Sequence, residues 1–108
     1  MPAIESPFDL LLGAYFGEDW EYDGDSAEAV LRVFCRGEPP GLVAEARAEA
    51  EALLAASLDE KRLERELHRR GLIYNPGNEG RTHRQWLELV VRTLGSSDCR
   101  RSWRGPMS

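Results

Sequence analysis

The amino-acid sequence predicts an all-α protein, a small single-domain bundle of about five helices. Three observations support this prediction. Apolar residues recur in several segments at the spacing of one helix face. Serine, threonine or aspartate precedes most of these segments and can cap a helix. No segment alternates apolar and polar residues for long enough to predict a β-strand, and a length of 108 residues corresponds to one domain.

The first helix is predicted to begin after Ser6, which can act as its N-cap. Pro7 suits the first helical position, and Asp9 lies where the acid of a capping box would be. The apolar stripe of this helix comprises Phe8, Leu11, Leu12, Tyr15 and Phe16. Gly17 is the expected end of the helix.

The second helix is predicted to follow an irregular connection over residues 18–24. Asp25 or Ser26 can be its N-cap. Its apolar stripe comprises Ala27, Val30, Leu31, Phe34 and Cys35. Arg36 and Gly37 close it, with the cation at the favourable end of the helix dipole.

The third helix is expected to start near Pro40 and to run to about Ala56, and its many alanines favour helix intrinsically. Its buried face would comprise Leu42, Val43, Ala46, Ala50, Leu53 and Leu54. Its other face carries Glu45, Arg47 and Glu49, which we expect to be solvated.

The fourth helix is predicted to begin with a capping box over residues 57–60 and to end at Arg70, before Gly71. Leu63 and Leu67 form its inner pair, so it is thinly apolar and predicted to be peripheral. Its cations make it the basic side of the molecule: Lys61, Arg62, Arg65, Arg69 and Arg70.

The fifth helix follows a turn over residues 75–80 and a further capping box over residues 82–85. Its apolar face comprises Trp86, Leu87, Val90, Val91 and Leu94. The helical domain is predicted to span residues 1–95. The polar tail 96–108 shows no periodicity and is expected to be poorly ordered unless Trp103 docks.

Cys35 and Cys99 are expected to remain reduced thiols in the cytoplasm, and their spacing does not suggest a metal site. The N-terminus has neither the basic nor the apolar region of a secretory signal, and no apolar run is long enough to span a bilayer. The sequence therefore predicts a cytoplasmic protein that does not associate with a membrane.

The charge is distributed unevenly along the chain. Residues 1–31 hold eight acidic and no basic residues, whereas the remainder holds 14 basic and 11 acidic residues. Such a field steers a basic partner towards the N-terminal third. It argues against nucleic acid as the ligand, because phosphates require a basic footprint.

The most informative segment is 14–25, which holds four aromatic residues, five acidic residues and no cation. The candidate partner-binding residues are Glu18, Asp19, Glu21, Tyr22, Asp23 and Asp25. Tyrosine is frequent in binding hot spots, and acidic neighbours complement a basic surface. An ordinary acidic surface loop is the alternative interpretation. Asp19 is either a contact residue or a structural hydrogen-bond acceptor.

Five aromatic residues are the candidate structural anchors: Tyr15, Phe16, Trp20, Tyr74 and Trp86. The helical stripe assigns Tyr15 and Phe16 to the core, where they would hold the base of the acidic segment. Trp20 is either an inward anchor or a contact residue. Tyr74 is expected to be a buried ring whose hydroxyl is bound to a loop carbonyl.

No constellation of residues predicts an enzyme or a cofactor site. The carboxylates of the acidic segment are expected to be ionised in solvent, so their pKa values would not be split for acid–base catalysis. His68 and His83 have no carboxylate or cysteine at ligand spacing along their helices, and His68 is expected to be solvated.

Four sequence motifs resemble those of a small family of contact-dependent growth inhibition immunity proteins. They are residues 12–20, residues 26–29, Tyr74-Asn75-Pro76 and residues 82–87, so the resemblance covers about residues 8–94. The resemblance implies a cytoplasmic, mostly helical, non-enzymatic protein that neutralises the C-terminal toxin domain of a large contact-delivered effector. Many such toxins are nucleases with basic substrate sites, which an acidic protein can occupy by imitating phosphate charge.

Two other functions remain open on the sequence alone. One is an adaptor domain that binds a partner helix in an apolar groove, suggested by the thin apolar face of the fourth helix. The other is an acidic inhibitor of a housekeeping nucleic-acid-binding protein, which would use the same chemistry on another partner. The oligomeric state is also left open.

Overall fold

The computed structural model describes residues 6–17 and 26–103. Within them lie six α-helices and no β-strand, so the all-α prediction is confirmed. The helices are α1 (Pro7–Leu10), α2 (Ala27–Gly37), α3 (Pro40–Ala55), α4 (Glu60–Arg69), α5 (His83–Leu94) and α6 (Ser97–Ser102). A π-helical turn, Leu11–Tyr15, continues α1, and a 3₁₀-helical turn, Pro76–Glu79, precedes α5.

Helix α5 is the centre of the core and packs against α2, α3 and α4. Its buried side chains include Trp86, which together with Tyr74, Phe8, Phe16 and Phe34 is among the largest fully buried residues. None of the helices in the described part of the chain has the length and apolarity needed to cross a membrane.

Four of the five residues in the first predicted apolar stripe are buried, as expected, but the segment is not α-helical as far as Gly17. Phe8, Leu11, Leu12 and Phe16 are buried. The amide of Phe16 donates to the carbonyl of Leu11 at 3.1 Å, which is the i to i−5 bond of a π-helical turn. A Cβ atom at Gly17 would lie 2.2 Å from the carbonyl oxygen of Gly13, so only glycine fits there.

Two of the predicted helix starts are confirmed by their caps. The Ser26 hydroxyl accepts a hydrogen bond from the amide of Ala29 at 3.1 Å. Thr82 and Gln85 form a reciprocal capping box at the start of α5.

The predicted capping box at residues 57–60 is wrong in its first residue. Asp59 is the N-cap of α4, and its carboxylate accepts from the amide of Arg62 at 2.8 Å. Ser57 instead has a φ of 55°, in the left-handed region. It follows Ala56, the C-cap of α3, at the position where a left-handed residue commonly ends a helix.

The expectation that Arg47 and Glu49 are solvated is also wrong. Both side chains are half-buried and bind other helices. Arg47 Nε donates to the carbonyl of Val91 at 3.1 Å, and Glu49 Oε2 accepts from the amide of Phe8 at 3.1 Å. Their long side chains cross the edge of the core, so each satisfies a helix-terminal backbone group of α1 or α5.

The inner pair of α4 is confirmed, because Leu63 and Leu67 are both buried. The basic side of α4 is only partly available to solvent or a partner, because the Arg70 side chain turns back towards the body of the protein. It pairs with Asp9 at 3.0 Å and with Glu66 at 2.9 Å. Burial alone would lower the pKa of Arg70, but its bonds to these two carboxylates outweigh burial and raise it.

The expectation that Cys35 and Cys99 are free thiols is wrong, because the structure joins them in a disulfide. The sequence argument rested on compartment and on a tail without periodicity. Helix α6 lies within that tail, with Ser96 as its N-cap, and at six residues it is too short to show a period. It brings Cys99 to α2, where the two Cα atoms lie 5.2 Å apart.

Candidate partner-binding surface

The acidic segment lies outside the described residues. It contains all six candidate contact residues, Glu18, Asp19, Glu21, Tyr22, Asp23 and Asp25, and also Trp20. The structure does describe the two flanks of the segment, which end at Gly17 and begin again at Ser26. The geometry of these flanks determines where the segment leaves and rejoins the fold.

The N-terminal flank is held by aromatic packing and by one shared carbonyl. The ring of Phe16 meets the ring of Trp86 edge-on, with centroids 5.2 Å apart, and lies 5.2 Å from the ring of Tyr74. The Phe16 carbonyl accepts hydrogen bonds from the amides of Ile73 and Tyr74 at 3.1 and 3.0 Å. The chain is therefore fixed one residue before Gly17.

The C-terminal flank is held by Glu79, which lies 52 residues away from it in sequence. Glu79 Oε1 accepts a hydrogen bond from the amide of Ala27 at 2.9 Å and another from the hydroxyl of Tyr74. A carboxylate at this position also complements the positive end of the α2 dipole. Two residues after Glu79, Arg81 pairs with Glu28 at 3.1 Å.

Tyr74 connects the two flanks. Its amide binds Phe16 before the acidic segment, and its hydroxyl binds the carboxylate that caps α2 after it. Burial, reinforced by the hydrogen bond to Glu79, raises the pKa of Tyr74, so the hydroxyl remains a donor at neutral pH. We call Phe16, Ala27, Tyr74, Glu79 and Trp86 the loop framework.

The remaining sequence-predicted anchor, Tyr15, lies at the periphery of this arrangement. It is half-buried, and its ring meets Phe34 edge-on at 5.0 Å. Its hydroxyl donates to the carboxylate of Glu38 at 2.9 Å. Tyr15 therefore contacts the C-terminal end of α2, whereas Phe16 belongs to the loop framework.

His83 is buried and bound to carboxylates of another helix, contacts that the spacing along its own helix could not reveal. Its Nδ1 lies 2.6 Å from Glu60 Oε2, and its amide donates to the same oxygen at 2.9 Å. Burial would raise the pKa of Glu60, but the bonds from His83 and Arg84 outweigh it and lower the pKa. Glu60 thus binds the first amides of α5 and has a structural role.

No group of three or more potential metal ligands occurs in residues 6–17 and 26–103. His68 is exposed, as expected, and its ring lies 5.9 Å from that of His83.

The opposite end of α2 has a different character. Arg32, Arg36 and Arg92 line a groove beside the Cys35–Cys99 disulfide. The loop framework contributes one carboxylate, Glu79, at the start of α2, whereas the groove near its other end is lined by these three arginines and by Asp98.

Sequence reasoning missed Glu79 and predicted a carbonyl as the acceptor for Tyr74. The turn signal around Pro76 placed Glu79 in a loop but could not identify its partners. The only local signal was a carboxylate ending a 3₁₀-helical turn just before a predicted helix. Its bond to Ala27 depends on packing between α2 and α5, which no local pattern contains.

A protein-family model described as CdiI immunity protein matches residues 6–94. The match includes α1 to α5, the loop framework and the acidic segment, and it ends at the last residue of α5. No curated protein and no solved structure matches the chain significantly.

Proposed function

Because this chain belongs to the CdiI immunity protein family, whose members neutralise toxins, we propose that it protects the cell by binding the C-terminal toxin domain of a contact-dependent growth inhibition effector. The acidic segment 18–25 forms the centre of the contact. Proteins of this family are generally not enzymes, and we assign the chain a binding role in the cytoplasm.

The observation that carries this proposal is the attachment of both flanks of the segment to one framework. Residues 18–25 hold five carboxylates and two aromatic rings. A segment whose ends are fixed loses less conformational freedom on binding, so more of its interaction energy contributes to affinity. Charge pairs close to each other across an interface couple by about 1.5–7 kcal/mol.

The charge of the segment supports a toxin with a basic surface, and a nuclease is the toxin class that fits best. A nuclease active site is lined by cations that bind phosphates. The carboxylates of the acidic segment can occupy such a site in place of the nucleic acid. Inhibition would then be direct, because substrate and immunity protein compete for the same cations.

The adaptor alternative receives less support. It rested on an uncovered apolar face of the fourth helix, but Leu63 and Leu67 are both buried within the fold. We therefore favour an electrostatic contact at the acidic end over an apolar groove on α4.

The test is a double charge reversal, Asp19→Lys with Asp23→Lys. We expect binding to the purified toxin domain encoded beside this gene to weaken about 100-fold or more, because two attractive charges become repulsive. Affinity is measured by isothermal titration calorimetry at low and high salt, and protection by growth in competition with toxin-delivering cells. Wild-type binding should weaken markedly as salt rises.

The matched control is Glu45→Lys with Glu88→Lys. It changes the net charge equally at two exposed positions on α3 and α5. Its affinity should stay within a few-fold of wild type, because distant charges mainly affect the association rate. Equal binding by both double variants would refute the acidic site.

A further inference from the structure

The extended link after α4 alternates between buried and exposed side chains. Leu72 is 3% exposed, Ile73 is 60% exposed and Tyr74 is 1% exposed. In such an alternation the outward position is usually polar, because an apolar side chain there gains nothing from folding. Ile73 is the exposed large hydrophobic residue in the part of the chain that the structure describes.

The backbone around Ile73 is held in place, which fixes the direction in which its side chain leaves the chain. Before it, Gly71 ends α4 with a φ of 115°, a conformation that favours glycine. The amide of Ile73 donates a hydrogen bond to the Phe16 carbonyl at 3.1 Å. A residue whose backbone is already ordered loses less entropy when a partner covers it.

This bond also places Ile73 beside the origin of the acidic segment, since Phe16 is two residues before Glu18. The arginines that end α4 have carboxylate partners: Arg69 pairs with Glu66, and Arg70 pairs with Asp9. Their pairing reduces the repulsion that a basic partner would meet on approaching Ile73.

We propose that Ile73 is an apolar contact for the same toxin domain, adjoining the acidic segment. This inference rests on the proposed function and adds a residue and a type of contact to it. Interfaces commonly combine a desolvated apolar anchor with a charged rim. The carboxylates attract the toxin and orient it, and Ile73 slows its dissociation once water has left the contact.

The test compares Ile73→Asn with Ile73→Leu, which retains the apolar volume. The control is Ala44→Asn, a polar substitution at an exposed position of α3. Association and dissociation rates with the purified toxin domain are measured by biolayer interferometry at two salt concentrations. Circular dichroism melting confirms that each variant is folded, which we expect because the side chain is mostly exposed.

We expect Ile73→Asn to dissociate about tenfold faster or more at both salt concentrations, because burial of apolar surface does not depend on screening. Ile73→Leu and Ala44→Asn should stay within a few-fold of wild type. Wild-type rates for Ile73→Asn would overturn the inference. If the variant with Asp19→Lys and Asp23→Lys alone lost binding, the proposed function would still stand.

Two other outcomes would also overturn the inference. If wild type fails to bind the toxin domain, the proposed function fails with it. If Ile73→Asn converts a dimer to a monomer in sedimentation while toxin rates stay unchanged, the partner of Ile73 is a second copy of this chain.

Discussion

The two ends of α2 are held by different means. At the N-terminal end, the Glu79 carboxylate and the Ser26 hydroxyl accept hydrogen bonds from the first amides of the helix and fix it beside the acidic segment. At the C-terminal end, a disulfide joins Cys35 to Cys99 in α6, and arginines line the adjoining groove. The family match includes the first arrangement and ends before Cys99.

We interpret the N-terminal end of α2 as the part that serves recognition and the C-terminal end as the part that serves stability. The N-terminal end positions a charged segment through contacts whose geometry matters. The C-terminal end adds a covalent tie whose presence depends on redox conditions, because a reducing cytoplasm favours free thiols. We therefore expect changes at the C-terminal end to alter stability and changes at the N-terminal end to alter stability and toxin binding together.

The largest effect on stability is expected from removal of the disulfide with Cys35→Ala and Cys99→Ala. The bridge closes a separation of 64 residues, and loss of such a loop constraint lowers the free energy of unfolding by about 4 kcal/mol in the chain-entropy model. Urea denaturation measures this change. Toxin affinity should stay within a few-fold of wild type.

Addition of a reductant provides the internal control for this experiment. It should lower the stability of the oxidised wild type towards that of the double variant and should leave the variant unchanged. A large fall in toxin affinity of the double variant under conditions where it is folded would contradict the separation of the two ends.

A smaller loss of stability, coupled to a loss of binding, is expected from Glu79→Ala. The substitution leaves the Tyr74 hydroxyl and the Ala27 amide without their acceptor, which costs about 2 kcal/mol. Urea denaturation and calorimetry with the toxin domain measure the two effects. The control Tyr74→Phe keeps the bond between Glu79 and Ala27, so it should be milder in both measurements.

If Glu79→Ala destabilises the protein but binds the toxin as wild type does, the loop framework does not position the acidic segment. That result would remove the proposed difference between the two ends of α2, because both ends would then contribute only to stability.

The smallest effect is a pH dependence of stability that arises near the start of α5. The pKa of Glu60 is lowered in the folded state from its ordinary value of 4.5, since His83 and Arg84 outweigh the effect of burial. Its contribution is therefore complete above the unfolded pKa and is lost as pH falls through the lower folded pKa. Thermal melting between about pH 6 and pH 3 should show this loss.

Glu60→Gln should flatten this part of the pH profile, and Glu45→Gln, at an exposed position of α3, should leave it unchanged. An unaltered profile in Glu60→Gln would show that the carboxylate does not stabilise the start of α5.

Much of the fold could be predicted because it depends on local sequence patterns. The stripe of α2 and the capping box at Thr82 depend on residues within one or two turns, so sequence spacing identifies them. Ser57 shows the limit of this approach. The pattern at residues 57–60 predicts Ser57 as the cap, and only the path of the chain after α3 makes Asp59 the cap instead.

The contacts that define the candidate site depend on packing between distant elements. Glu49 reaches Phe8 across 41 residues, and Glu79 reaches Ala27 across 52 residues. Such pairs form only after several helices have assembled, so composition can indicate the charge of a surface but not the scaffold beneath it. The acidic candidates themselves remain predictions.

The π-helical turn Leu11–Tyr15 has a consequence for chain length in this family. A π-helical turn contains one residue more than the α-helical turn it replaces. A homologue one residue shorter here could therefore use an α-helical turn and still keep the equivalents of Phe8 and Phe16 in the core.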